Sequence, residues 1–233
     1  MSDQPFHIVF AVYPGMTHLD FTGPHQFLSR APGSRTTVAS FAGGAVPADG
    51  LVFAETARLA DIPACDLICV PGGIAATEVA LDDGFVGEVR RLAGTARYVT
   101  SVCTGSLILG AAGLLRGKRA ACHWAWRDML PLFGAIPDEA RVVRDGNTIT
   151  GGGVTAGIDF ALTVLAEISG EQVAQSIQLG LEYAPAPPFN SGRPELAPPE
   201  ILALFNGVMG GMKDERMAQA RAAAAKLDAL APA

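Results

Sequence analysis

Tyr98-Val99-Thr100-Ser101-Val102-Cys103-Thr104-Gly105-Ser106 reads as a buried strand that turns at Cys103-Thr104-Gly105 into the apolar helix Ser106–Ala112. The uncharged run from Tyr98 to Leu115 covers 18 residues, the length at which a membrane helix becomes an option. Thr100, Ser101, Thr104, Gly105 and Ser106 interrupt it, so it predicts a strand–turn–helix unit inside a globular core. Ser101 and Gly105 flank Cys103 at two residues' distance on either side. Small residues there permit the sharp turn of a nucleophile elbow, with cysteine in place of serine.

Working outward, Phe6–Val12 and Cys65–Val70 are apolar runs of strand length, stopped by Tyr13-Pro14-Gly15 and Pro71-Gly72-Gly73. Shorter extended segments are predicted at Thr36–Phe41 and Leu51–Ala54, and a hairpin over Arg141–Thr150 turning at Asp145-Gly146. Helices are predicted from Asp20 or Phe21 to about Arg30, over Phe85–Ala93, over Trp124–Leu130 with Pro131 as its end, from about Thr155 to Ile168, and over Glu171–Glu182. Pro185–Pro199 holds six prolines and reads as a structured arm. The tail from Glu200 reads as helical, broken at Gly210-Gly211, with a fraying Ala-rich end.

Strands that alternate with helices, and central strands that are continuously apolar, predict an α/β fold: a mostly parallel sheet sandwiched by helices, one unit over residues 1–233 with a helical tail from about 200 to 233. Ligands of such sheets bind beyond the carboxyl ends of the strands. The loops Tyr13–Asp20, Pro71–Ile74 and Val102–Ser106 each follow a core strand and are expected to meet at one crevice.

Composition removes several classes. The chain of 233 residues is 49% apolar and 17% charged, too apolar for a disordered segment. Its net charge of −6, without a Lys/Arg cluster, argues against nucleic-acid binding. The N-terminus lacks a basic signal segment, no membrane association is expected, and four cysteines are read as free thiols in a reducing cytoplasm. No GxGxxG follows the first strand and no GxxxxGK[ST] occurs, so neither a dinucleotide nor a nucleoside triphosphate is called for; the reading expects no cofactor. Cys65, Cys69, Cys122 and His123 lack CxxC-type spacing, and no metal is expected.

Cys103 is the candidate nucleophile: an exposed sulfur at a helix N-terminus, whose partial positive charge favours thiolate. A buried, inert cysteine is the competing reading. Asp20 admits two roles, a helix N-cap or a carboxyl beside the Cys103 sulfur whose raised pKa makes it a general acid. Gly72 and Gly73 offer backbone N–H groups to a developing negative charge, as does Thr104, the residue after the nucleophile. Gly152, in the triplet Gly151-Gly152-Gly153, and Val154 beside it are candidates for the pocket floor. His123, before Trp124 and Trp126, is either a base or a packed side chain.

These residues carry a resemblance to the ThiJ/PfpI superfamily of flavodoxin-like cysteine proteins, class I glutamine amidotransferase-like in fold, and within it to the isocyanide (isonitrile) hydratases. The motifs are Leu19-Asp20-Phe21-Thr22-Gly23-Pro24, Val70-Pro71-Gly72-Gly73, Ser101–Ser106, His123-Trp124 and Thr150–Asp159. Most also occur in the ligand-binding domain of AraC-type regulators. The resemblance implies Cys103 as nucleophile and Asp20 as its acidic partner, with Thr104 agreeing with the hydratases. The peptidase-like branch carries His at that position, and the Parkinsonism-associated branch has Glu where Asp20 stands. No H-x-E, which glutamine amidotransferases need, occurs in the chain. Val154 stands where some hydratases carry a slightly larger aliphatic residue. The implied activity is hydration of a small-molecule isocyanide to an N-substituted formamide through a covalent thioimidate on Cys103, in a homodimer. A non-catalytic ligand or redox sensor, or another small-molecule cysteine hydrolase or glyoxalase, is the alternative. Only Glu200–Ala233 follows Pro199, so the regulators' helix-turn-helix module is not expected.

Overall fold

Phe6–Ala11 forms the central strand β1, and from Ile8 onward its side chains have no solvent exposure. The computed structural model describes residues 4–229. After β1 come α1 (His18–Leu28), β2 (Ser34–Ser40), β3 (Gly44–Ala48), β4 (Leu51–Arg58) and β5 (Leu67–Val70). Helices α2 (Ala76–Val79) and α3 (Asp83–Ala93) lead to β6 (Tyr98–Val102) and α4 (Gly105–Ala111). A short pair β7 (Arg119–Ala120) and β8 (Ile136–Pro137) brackets a 3-10 stretch, Trp124–Phe133. Strands β9 (Val142–Asp145) and β10 (Thr148–Gly151) and helices α5 (Ala156–Ser169), α6 (Glu171–Gly180) and α7 (Pro199–Ala229) complete the chain.

The main sheet has eight strands in the order β3-β4-β2-β1-β5-β6-β10-β9. Every pair from β4 to β10 is parallel, and the two edge pairs, β3–β4 and β9–β10, are antiparallel. Helices α1, α5 and α6 associate on one face; α2, α3, α4 and α7 group around β5 and β6 on the other. This is the flavodoxin-like α/β sandwich the apolar strands predict. From β1 the chain runs outward to β2 and later returns to β5 on the opposite side of β1. The sheet therefore reverses its winding between β1 and β5, and a crevice opens there at the carboxyl ends.

Several boundaries differ from expectation. Edge strand β3, GAVPA, lies outside the predicted segments, since Gly44 and Pro47 suit a sheet edge rather than a strand centre. Pro131 lies inside the 3-10 stretch rather than ending a helix, since the Trp124–Phe133 turns need no continuous α-helical ladder. The largest difference is α7, which runs without a break through Gly210-Gly211 and does not fray up to Ala229. Ala220, Ala223, Ala224 and Leu227 are buried, and that packing outweighs the poor helix propensity of two glycines. Leu230–Ala233 lie outside the described residues. No described helix is long and apolar enough to cross a membrane.

Candidate active site

The three loops beyond β1, β5 and β6 are tied to one another. The Thr17 N–H donates to the Gly72 carbonyl at 2.9 Å and the Tyr13 hydroxyl to the Pro71 carbonyl at 3.0 Å. Thr104 joins the third loop: its hydroxyl accepts from the Gly73 N–H at 2.9 Å and faces the Gly73 carbonyl at 3.1 Å. Gly72 fits between two side chains. A Cβ there would lie 2.8 Å from Asp20 Oδ2 and 2.7 Å from Thr104 Oγ1, closer than real contacts allow.

Cys103 has φ +58°, the left-handed region that a residue with a Cβ rarely adopts. This is the elbow: β6 ends, the chain reverses its twist for one residue, and α4 begins. The cost is of order 1–3 kcal/mol. Two carbonyls hold it, Gly151 at 3.0 Å and Gly152 at 2.8 Å, both accepting from the Cys103 N–H. The Ser106 hydroxyl donates to the Cys103 carbonyl at 3.0 Å.

Asp20 is not a helix cap. Helix α1 begins at His18, earlier than the sequence suggests, and Asp20 sits within its first turn. The free His18 N–H is taken at 2.8 Å by Asp49, from the β3–β4 turn. A cap delivered from another element removes the need for one at position 20. The Asp20 side chain is fully buried, and neither carboxyl oxygen has a formed hydrogen bond. Burial pushes its pKa up to about 7, against the opposing influence of the Cys103 thiol and the Gly72 N–H beside it.

The expected exposed thiolate is corrected on both counts. Cys103 is only 5% exposed. Burial, with the Asp20 charge next to it, holds its pKa well above the usual thiol value, and the Thr104 N–H offsets this only in part. Helix α4 is short, and desolvation outweighs its N-terminal charge. The resting sulfur is therefore a thiol with a carboxyl group as neighbour.

The remaining candidates are distributed differently from the expectation. The Gly73 N–H is occupied by Thr104 and the Gly72 N–H faces Asp20, so these groups hold the acid and the elbow rather than a free anion hole. The Gly152 N–H is bound to the Arg141 carbonyl at 2.9 Å while its own carbonyl positions Cys103. Gly152, Val154 and His123, with Trp124 and Arg193, line a neighbouring cavity of about 230 Å³ that neither Cys103 nor Asp20 lines. His123 stacks near Trp124 and Phe205, at 5.8 and 6.5 Å between ring centres. Its Nδ1 accepts from the Ala125 N–H at 3.2 Å, which places the proton on Nε2. Burial, helped by Arg216, lowers its pKa, so the ring is neutral and in this tautomer has no free lone pair with which to act as a base. Tyr13, which the sequence reading gives only as a turn and loop residue, is buried with its hydroxyl on the Pro71 carbonyl, and Arg216, buried on α7 and bonded to the Ile74 carbonyl, is absent from that reading. Arg216 sits in the segment that composition marks as a tail, and no local motif signals it. Among the described residues no group of three His, Cys, Asp or Glu is placed to hold a metal ion.

A strained cysteine at a strand–helix elbow, opposite a buried carboxyl at the switch point of a parallel sheet, defines a cysteine-centred α/β site. Residues 7–167 match the model of the DJ-1/PfpI family, and the chain belongs to that family. It is 50% identical over 196 residues to an isonitrile hydratase of Pseudomonas putida, across 84% of this chain and 86% of that one. A crystal structure of a ThiJ/PfpI family protein from Pseudomonas syringae superimposes with a TM-score of 0.89 at 40% identity, covering 94% of this chain and 90% of the other. An HTH-type transcriptional regulator of Pseudomonas aeruginosa is 30% identical over 72% of this chain, which spans 52% of the regulator.

Proposed function

We propose that the protein hydrates isocyanides to N-substituted formamides, with Cys103 as nucleophile and Asp20 as proton carrier. The single observation that carries this is the Cys103–Asp20 pair: an elbow thiol beside a fully buried carboxyl whose polar neighbours are that thiol and the Gly72 N–H and whose pKa stands at about 7. The identity to a named isonitrile hydratase over most of both chains supports the same reading.

The chemistry suits the pair. The terminal carbon of R–N≡C must gain both a nucleophile and a proton. Asp20 takes the proton from the Cys103 thiol as sulfur attacks, then gives it to that carbon, forming the thioimidate Cys103–S–CH=N–R. Water adds across the C=N bond with Asp20 as base, giving Cys103–S–CH(OH)–NH–R. The C–S bond then breaks, the hydroxyl proton returns to sulfur through Asp20, and H–CO–NH–R leaves. A carboxyl near pKa 7 suits both directions of transfer at neutral pH. Gly152 links Cys103 to the cavity lined by Val154 and Trp124, where we place the substituent R.

A redox-sensing role is less well supported, because a buried sulfur held as thiol is a poor target for oxidants. We further propose that residues 1–233 act as one unit, in the cytoplasm, as a homodimer. Exposed Phe189, Leu196, Ile201, Leu204 and Val208 on the arm and α7 support the last point. Incubation with an aryl isocyanide tests the activity: formamide accumulation and a transient adduct at Cys103, seen by mass spectrometry, are expected. A substrate panel that yields turnover on other electrophiles but no formamide overturns it.

A further inference from the structure

The cavity beside the elbow carries a charge pattern that the chemistry proposed for Cys103 and Asp20 does not use. Its wall draws on separate segments: the 3-10 stretch with the residue before it, the loop ahead of β9, the Gly152–Val154 turn and the proline-rich arm. A volume of about 230 Å³ falls below the ~300–1,000 Å³ of drug-sized ligand sites and suits one ring with a short substituent. His123, Trp124 and Val154 supply flat and apolar surface for such a ring.

The charges are unevenly placed. Arg127, Arg141 and Arg193 share the wall with Glu139 and Glu195, three cations against two anions in a chain whose net charge is −6. Arg141 is held by Asp159, which does not line the cavity. Arg193 donates to the Glu139 carbonyl at 3.1 Å and has the Glu195 carboxylate 3.6 Å away. Arg127 is the best covered of the five: its side chain is 20% exposed, against 71% for Glu139, its partner at 2.7 Å. That is the one hydrogen bond Arg127 makes among the described residues, and a guanidinium has five N–H donors. His123 adds its Nε2–H, which has no partner among the described residues either. Donors left unused in a largely covered wall call for an acceptor. A guanidinium fork matches a carboxylate with two parallel bonds, while a carboxylate out at the solvent edge, such as Glu139, is screened and competes weakly.

We infer that this cavity selects isocyanides whose substituent is a small ring bearing a carboxylate, with Arg127 as the specificity-determining residue that receives the carboxylate. The turnover part rests on the function proposed above, which places R in this cavity; the binding part does not. The test uses the full chain and two pairs of compounds. As substrates serve para-isocyanobenzoate and its methyl ester; as ligands for titration calorimetry, the matching formamides, para-formamidobenzoate and its methyl ester. The parent is expected to bind the acid about tenfold more tightly than the ester, and to favour the acid by about the same factor in kcat/KM. Arg127→Gln is expected to lower both acid-to-ester ratios about tenfold. Arg127→Lys keeps the charge without the fork and is expected to lower them about threefold. Glu139→Gln, at an exposed side chain, frees Arg127 and is expected to raise both ratios about twofold or more. A parent without preference for the acid overturns the inference, and so does a folded Arg127→Gln variant that keeps the parent's ratios, since a packing role moves acid and ester together. If Arg127→Gln does not fold, ratios that stay level or fall in Glu139→Gln overturn it equally. A parent that makes no formamide from either compound, yet binds with the expected Arg127-dependent preference, would sink the proposed function and leave the carboxylate site standing.

Discussion

Strand β1 begins and ends at buried polar clusters, and the two are built on opposite terms. At its start His7 is nearly buried, yet each polar group has a partner. Its backbone N–H donates to Asp66 at 2.9 Å, its Nδ1 lies 2.8 Å from the Arg35 guanidinium and 3.0 Å from the Ala64 carbonyl, and its Nε2 meets Thr37 Oγ1 at 2.9 Å. Beyond its end, Asp20 is fully buried without a well-formed hydrogen bond, with only the Gly72 N–H and the thiol of a cysteine in a left-handed conformation beside it. The first cluster is what folding alone produces: burial balanced by hydrogen bonds. The second leaves a buried carboxyl with a raised pKa next to a strained cysteine, an arrangement that costs stability and is the usual mark of a reactive site.

That contrast can be broken by substitution. Cys103→Ala is expected to lower formamide production by ~10³-fold or more, with circular dichroism unchanged; undiminished turnover would remove Cys103 from the reaction. Next comes Asp20→Asn, expected to slow turnover by about 10²-fold to 10³-fold. The same variant should be more stable than the parent. The folded chain holds the Asp20 proton up to about pH 7, whereas the unfolded chain releases it near 3.8. Parent stability is therefore fully present below about pH 4 and declines as pH rises toward 7. Asparagine escapes that decline, so urea unfolding should favour the variant by on the order of 2–4 kcal/mol at pH 8 and by nothing at pH 4. Equal curves at both values would mean that the burial cost is met elsewhere.

Thr104→Val tests the link between the loops. Losing the hydroxyl that ties the elbow to Gly73 should cost about 1–2 kcal/mol in unfolding free energy and about tenfold in kcat. At the other end of β1, His7→Ala should cost roughly 1–3 kcal/mol by stranding its partners. Turnover per folded molecule should be unchanged, and a loss of activity there would erase the distinction between the two clusters.

Much of this site could be read from local sequence because an elbow is a local device. Ser101-Val102-Cys103-Thr104-Gly105 after an apolar strand implies the turn, and β1, β5 and β6 are apolar enough to declare a buried parallel sheet. Asp20 was legible as a candidate but not as a role. The residue that decides between cap and acid is Asp49, distant in sequence. The Gly72 and Gly73 N–H groups meet a related limit: a Pro-Gly-Gly turn does not say that Thr104 takes one and Asp20 faces the other. Arg216 left no trace at all.

By itself, then, the sequence determined the α/β sandwich, the elbow and the cysteine proposed as nucleophile at its tip, all consequences of short-range periodicity and turn chemistry. The tertiary structure alone decided the surroundings of the site: that the thiol is covered, that Asp20 is fully buried beside it, and that a long C-terminal helix bonds an arginine to the Ile74 carbonyl. Desolvation and long-range Coulomb interaction depend on what surrounds a group in space, and a linear order of residues does not contain that information.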